Sequence, residues 1–336
     1  MDKIRYGIIG FGLRGFALAD AAQKTKEIDV VAVSNRNPQA EGRMRSLLPE
    51  AKYFSDYRSL LEQKDINAVV IATPNHTHAQ IILDAIAAGK HIFCEKPVGI
   101  SLEEYQKISG VIRNNKKLIF QVGTELRYSC MFQKMKEIIT QDEIGPVRML
   151  WCREYRPPLG RGAGDWRISP KSGGTFLEKS IHHLDLFCWF AESPPKTIHA
   201  FGGDEVIYQQ TGMLDNGILS IEYANKNRAC LFLSVFHNSG FLMEFGVLGE
   251  KGHIDTFTPP LRMELITQGC KTVSTFSLAD IQGGYNHDGE IEQHLAFIQS
   301  IRTGKVPLTN IDALFPAHAI AFAAQRSIDE KRPIEL

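Results

Sequence analysis

The sequence predicts an α/β fold in which a doubly wound parallel sheet comes first and a mostly antiparallel sheet follows. Three observations predict it. Short apolar runs rich in β-branched residues alternate with helix patterns over about the first 120 residues. A glycine-rich turn closes the first of those runs, and residues 197–276 carry alternating runs separated by turns rather than helices. The 336 residues suffice for two domains, and the change of texture places the first in residues 1–122 and the second in residues 123–336.

Taken in order, residues 4–9 are an apolar strand closed by glycines, and residues 16–24 carry the small and apolar side chains of a helix packed closely on a sheet. Residues 30–33, 68–72 and 91–94 are further short runs, as expected of strands buried on both faces. In residues 78–88, Ala79, Ile82, Ala85 and Ile86 recur at helical spacing, and Gly89 stands where a left-handed cap is wanted. Ser101 and Glu104 have the capping-box spacing, and residues 118–122 read as another strand. Parallel strands need crossover helices, so this alternation implies a doubly wound sheet. Beyond Gly123 come a helix at 131–139, a loop rich in Gly, Pro and Arg at 156–174, and a helix at 179–191. Strands are expected at 217–223, 229–235 and 243–248, then helices at 290–303 and 313–329. Asp312 is the expected N-cap of the last helix, which is expected to pack back on the first domain.

Composition narrows the function. The chain has 38 basic and 38 acidic residues, 43% apolar and 23% charged residues, which matches a soluble globular protein and excludes a disordered or collagen-like one. Without a basic surplus, nucleic acid and membrane surfaces are not the expected partners, and a small molecule is. The six cysteines include no C-x-x-C pair, so reduced and mostly buried thiols are expected. No run of about 18 apolar residues occurs, and the N-terminus lacks the pattern of an export signal, so a cytoplasmic location is expected.

Gly10-Phe11-Gly12-Leu13-Arg14-Gly15 has G-x-G-x-x-G spacing between the first strand and the first helix. The first glycine permits the tight turn, the second admits a pyrophosphate to the backbone, and the third allows close helix packing. The helix N-terminus favours the anion, and the strand–turn–helix setting points to a dinucleotide. At the end of the second strand, Ser34-Asn35-Arg36 offers no carboxylate for a ribose 2′-hydroxyl. Arg36 instead suits a 2′-phosphate, which favours NADP over NAD, although Asn35 is able to bond a ribose hydroxyl.

Glu95-Lys96-Pro97 ends a later strand, at the edge of the sheet where ligands bind. Lys96 is suited to hold a substrate hydroxyl and steady negative charge on its oxygen. The run from Gly173 to Asp185 is the densest set of titratable groups. On a helix, Glu178 at i−4 and Asp185 at i+3 share a face with His182, and either orients the ring as a general base. His183 reads as a structural residue or a second substrate contact. Metal is not implied, because this segment holds no closed ligand set.

The glycine motif, Thr73-Pro74-Asn75-His76-Thr77-His78, the Glu-Lys-Pro tripeptide and the Gly-Gly…His-x-x-Asp segment together resemble the Gfo/Idh/MocA oxidoreductases. The resemblance implies a Rossmann domain followed by an α/β domain with a large open sheet that mediates homodimers or homotetramers. It also implies NAD or NADP as cofactor and a sugar, inositol or related polyol as substrate. By position, Lys96 corresponds to the family's lysine and His182 to its catalytic histidine, while Glu178 falls where many members have aspartate. Thr73, Pro74, Asn75 and His78, with Glu95 and Lys96, resemble the cofactor-lining positions. Arg127-Tyr128 and Trp166-Arg167 resemble residues near the substrate.

The expected activity is therefore an NAD(P)-dependent dehydrogenase or reductase. Two alternatives share its residues: a redox-neutral, nicotinamide-dependent cleavage of a glycosidic bond, and a noncatalytic dinucleotide sensor. Arg153, Glu154, Tyr155, Arg161, Tyr285 and His287 are further polar groups suited to reading hydroxyl patterns.

Overall fold

In a computed structural model, which describes residues 2–160, 164–209, 211–276 and 289–336, the chain divides into two units. One draws on the described residues of Met1–Ser129 and Leu278–Leu314, the other on those of Cys130–Ser277 and Phe315–Leu336.

The first unit begins with β1 (Ile4–Ile9), α1 (Leu13–Lys24), β2 (Ile28–Ser34), α2 (Gln39–Leu47), β3 (Lys52–Phe54) and α3 (Tyr57–Leu61). It continues with β4 (Ala68–Ile71), α4 (His78–Ala87), β5 (His91–Glu95), α5 (Leu102–Asn114) and β6 (Phe120–Gly123). The strands lie in the order β3-β2-β1-β4-β5-β6, and every neighbouring pair is parallel. Successive residues of one strand serve opposite faces: Ile8 and Val70 join one apolar core, Ile9, Val69 and Ile71 the other. Each such fully buried aliphatic side chain contributes about 1.5–3 kcal/mol. Ala17, Ala19, Ala21 and Ala22 let α1 lie close to its neighbours. The chain order reverses between β1 and β4, the switch point at which doubly wound sheets bind ligands.

Local signals hold with small shifts. α1 begins at Leu13, three residues before its periodic pattern, because Gly12 already serves as its N-cap. Gly89 ends α4 at φ +70°. Ser101 Oγ accepts from Glu104 N at 3.2 Å, and the Glu104 carboxylate accepts from Ile100 N at 2.8 Å, one residue earlier than a regular capping box would place it.

The second unit contains α6 (Cys130–Thr140), β7 (Val147–Tyr155), α7 (Ile181–Ala191), β8 (Pro195–Gly203) and β9 (Asn216–Tyr223). It adds β10 (Arg228–Ser234), β11 (Leu242–Gly249), β12 (Gly252–Thr258), β13 (Arg262–Thr267) and β14 (Cys270–Thr275). The chain then supplies α8 (Glu290–Thr303) to the first unit, and the division falls after Leu314, inside α9 (Ile311–Glu330). A last short strand, β15 (Ile334–Glu335), completes a nine-stranded sheet in the order β14-β13-β12-β11-β7-β10-β9-β8-β15. The β7–β10 pair is parallel and the other seven are antiparallel, so the expected mostly antiparallel sheet is found. Phe132 of α6, Phe187 and Phe190 of α7 and Phe245 of β11 pack ring against ring on one face. On the other face Phe201, Ile218 and Phe232 lie side by side in register and are exposed.

Two expectations are corrected. The N-cap of α9 is Asn310, whose Oδ1 accepts from Asp312 N at 2.9 Å and Ala313 N at 3.1 Å, which leaves Asp312 inside the first turn. None of the six cysteines is in a disulfide, but only Cys94 and Cys152 are buried, while Cys130 and Cys270 are exposed. Among the described residues no helix is long and apolar enough to cross a membrane.

Candidate active site

The glycine turn sits between β1 and α1 at the switch point. Gly10 has φ +91°, and a Cβ there would lie 2.6 Å from Ala72 O. A Cβ on Gly15 would collide with Gly10 O, so this glycine lets the helix approach the turn. At Gly12 the same Cβ would meet nothing within 4 Å. The backbone is thus open at the one glycine that a pyrophosphate must approach, and the residues fit a dinucleotide. Leu13 is exposed, whereas Phe11 is buried against Phe16 and offers only its backbone N–H, which donates to Asn35 Oδ1 at 3.1 Å.

Asn35 therefore ties the end of β2 to the glycine turn, and its amide donates to Asn37 O at 3.1 Å. Ser34 is buried, and its carbonyl accepts from Gly10 N at 2.8 Å. Arg36, two residues beyond Ser34, is exposed. After β4, the Thr77 hydroxyl bonds Thr73 Oγ1 and Pro74 O, both at 2.7 Å, and Asn75 is buried. His78 is buried too: its ring nitrogens lie 2.7 Å from Pro97 O and 2.9 Å from Thr73 O. It clamps the loop after β4 to the turn that carries Lys96, which is half-buried and precedes a cis proline.

The Arg14 side chain meets carboxylates. Its Nε lies 2.7 Å from Glu95, one Nη contacts Glu290, and the other lies 3.6 Å from Glu125. Glu290 also accepts from Gln293 Nε2 at 2.5 Å. Burial pushes the Glu290 carboxyl up to about 8, with Glu125 and Glu95 adding to the shift and Arg14 opposing it. Burial raises Glu95 as well, against the pull of Arg14. Nearby His294 is held neutral: burial and the Arg14 charge bring it down to about 3.

In the second unit, Gly173 and Gly174 take φ values of +86° and +97°, a double left-handed turn that only glycine adopts readily. The helix expected from residue 179 is preceded by a π turn, Phe176–Ser180, before α7 proper. The α-helical spacing argument consequently applies to Asp185, three residues after His182 within α7, and not to Glu178. Glu178 is drawn to the loop: its carboxylate lies 3.5 Å from Arg167 Nε, and Arg167 stacks on Trp166 at 4.6 Å. Asp165 fixes that loop by accepting from Arg167 N at 3.0 Å. His182, Glu178 and Asp185 are all buried, at 8%, 7% and 1% exposure.

His183 packs inside the fold, with Nδ1 3.4 Å from Glu154 and Nε2 3.0 Å from Met243 Sδ. Glu154, on β7, is fully buried and also meets Lys179 at 3.0 Å and Arg156 at 3.7 Å. Burial alone would raise its carboxyl, but Lys179, His183 and Arg156 together bring it below the ordinary value. Glu154 is thus a buried anchor, not an exposed reader of hydroxyl groups. Arg153 faces the other side of β7, 2.6 Å from Glu244. Arg127 and Tyr128 are buried in the first unit, the arginine near the carbonyls of Leu308 and Ala313, the tyrosine hydroxyl 3.1 Å from Thr309 Oγ1. Arg161, Tyr285 and His287 lie outside the described residues. Sequence reasoning missed the Arg14 and Glu154 clusters, whose members meet only in the fold.

Residues 4–124 match a family model described as an oxidoreductase family with an NAD-binding Rossmann fold, and residues 132–255 match the Gfo/Idh/MocA C-terminal domain. The "uncharacterized oxidoreductase YrbE" of Bacillus subtilis is 30% identical over 99% of this chain and 97% of its own. The chain belongs to the Gfo/Idh/MocA family. As a Gfo/Idh/MocA protein it is an oxidoreductase acting on CH–OH groups with a nicotinamide cofactor. A myo-inositol 2-dehydrogenase of Thermotoga maritima is 26% identical over 99% of this chain and 98% of its own. The crystal structure of a putative myo-inositol dehydrogenase from Sinorhizobium meliloti 1021 superposes with a TM-score of 0.85 at 26% identity, covering 99% of both chains. A scyllo-inositol dehydrogenase from Lactobacillus casei, solved with NAD(H) and scyllo-inositol, shares the fold at a TM-score of 0.84 and 22% identity, over 99% of both chains.

Proposed function

We propose that this Gfo/Idh/MocA protein is a dehydrogenase or reductase of an inositol, sugar or related polyol, with His182 as general base and Lys96 as the group that steadies the reacting oxygen. The observation that carries the reading is the glycine turn, open at Gly12 and set at the switch point of a sheet whose next strand but one leads into Lys96. When bound, the nicotinamide supplies the hydride acceptor. The backbone of residues 10–15 holds the pyrophosphate at the N-terminus of α1. Residues 73–75 line the nicotinamide side, and His78 keeps them in register with Lys96. The Lys96 ammonium donates to the substrate hydroxyl oxygen and stabilises negative charge there as the proton leaves for His182. Asp185, on the same face of α7, orients the imidazole, and Glu178 acts with Arg167 at the substrate side of the π turn.

We assign NADP as the preferred cofactor. Arg36 is exposed at the end of β2, where an NAD-specific site would present a carboxylate, and the Asn35 amide is already bonded to Phe11 and Asn37. The exposed row Phe201, Ile218 and Phe232 is assigned to a homodimer or homotetramer contact, which light scattering tests through Phe232→Arg. The activity is tested by following reduced nicotinamide absorbance with cyclitols, aldoses and their keto forms, using both cofactors. His182→Ala should lower kcat by about 10²- to 10⁴-fold while the cofactor Kd stays near that of the wild type. Turnover within about threefold of wild type would remove His182 from the mechanism.

A further inference from the structure

Arg14 occupies a position of the glycine motif whose contribution to a dinucleotide is made by backbone. Its side chain is nonetheless the hub of a buried cluster drawn from four places in the first unit: α1, the end of β5, the turn after β6 and the first residue of α8. The side chains of Glu95, Glu125 and Glu290 are 7%, 6% and 1% exposed. Replacing buried ion clusters by apolar side chains is often neutral or stabilising, so fold stability alone does not explain one guanidinium among three carboxylates. The location does. Glu95 is the residue before Lys96, and its carboxyl feels the Lys96 charge.

We propose that Arg14 is a positioning residue for Lys96: by gathering Glu95, Glu125 and Glu290 it fixes the end of β5 and hence the ammonium that follows it. The proposal rests on the dehydrogenase reading above. Three buried carboxylates gathered round one guanidinium also repel one another in a low-dielectric interior, which favours a shared proton in the cluster at neutral pH. Glu290 is the member that holds it, in line with its raised carboxyl. Among the described residues, Arg14 from α1, Glu95 at the end of β5 and Glu125 after β6 bear on Glu290, while Lys96 acts on Glu95 and His294 of α8 feels the Arg14 charge. Tyr6 of β1 lies beyond His294, with ring centroids 6.0 Å apart. Gln121 of β6 and Gln293 complete the polar lining, joined by a 2.8 Å bond from the Gln121 amide to Gln293 O.

Two measurements on the full-length protein test this. The first uses no cofactor. A carboxyl raised in the folded state stabilises the fold below its ordinary range and loses that contribution as pH rises, so the wild-type Tm should fall between about pH 5 and pH 9. Glu290→Gln, which keeps the bond to Arg14 and carries no titrating group, should flatten that fall. Equal slopes would overturn the shared proton. The second separates positioning from cofactor binding. Arg14→Gln should lower kcat by about tenfold or more while the Kd for NAD(P)H, read by nicotinamide fluorescence, stays within about threefold; Arg14→Lys should restore part of kcat. A Kd raised more than about tenfold would show that Arg14 reads the cofactor and overturn the positioning role. Should Arg14→Gln not fold, Glu125→Gln carries the same kcat-against-Kd comparison. A wild type that turns over no polyol with either cofactor defeats the dehydrogenase reading and the positioning role with it, while the Tm slopes still decide the shared proton.

Discussion

The Arg14 and Glu154 clusters are opposites. In the first unit one guanidinium serves three carboxylates; in the second one carboxylate serves Lys179, Arg156 and His183. Burial pushes the Glu95, Glu290 and Glu154 carboxyls upward, yet Glu290 ends at about 8 and Glu154 ends below its ordinary value. The difference lies in the neighbours: acids reinforce the effect of burial at Glu290, and Lys179, His183 and Arg156 overturn it at Glu154. A buried charge is therefore not one kind of object. Each cluster lies beside a residue assigned to chemistry, with Glu95 preceding Lys96 and Lys179 three residues before His182.

The comparison breaks most visibly if each hub is removed. Arg14→Met leaves three carboxylates without their cation and should cost about 3–5 kcal/mol at neutral pH, measured by urea unfolding, with a smaller loss in acid as the carboxyls protonate. Glu154→Gln should cost less, about 1–3 kcal/mol, because Lys179 and Arg156 are 16% and 28% exposed and have a path to water. Equal losses would mean that the count of charges does not govern either site. The pH dependence sharpens the contrast. Glu154 is lowered in the fold, so its contribution is present above its ordinary value of 4.5 and is lost as pH falls further. Glu154→Gln should accordingly flatten the acid limb of stability, whereas Glu290→Gln flattens the neutral-to-alkaline one.

The two regions were also unequally legible in the sequence. Where structure depends on neighbours along the chain, the periodicities suffice: β1, β4 and β5 announce themselves as apolar runs, and Asp185 falls on the His182 face by counting along a helix. Glu178 does not, because a π turn shifts the phase and leaves no periodic mark. β7 was not evident because Arg148, Arg153 and Glu154 interrupt its apolar pattern, and their partners Glu250, Glu244 and Lys179 lie elsewhere in sequence. β3 spans three residues, too few for any period to show. Residues 14, 95, 125 and 290 share nothing local, so only the fold reveals that the motif's arginine binds acids. At α9, Asn310 and Asp312 are both competent caps, and backbone geometry decides between them.

The smallest expected effect tests whether charge is the operative quantity at Glu154. Lys179→Met should cost about 1 kcal/mol in the wild type, since His183 and Arg156 still face the carboxylate. Lys179 also lies over the Phe241 ring at 5.9 Å, a contact methionine largely keeps. In a Glu154→Gln background the ion pair is already gone, and the same substitution should cost close to nothing. A double-mutant cycle in urea thus isolates a coupling of about 1 kcal/mol. If Lys179→Met costs the same in both backgrounds, Lys179 contributes by packing on Phe241, and the second cluster is not the electrostatic counterpart of the first.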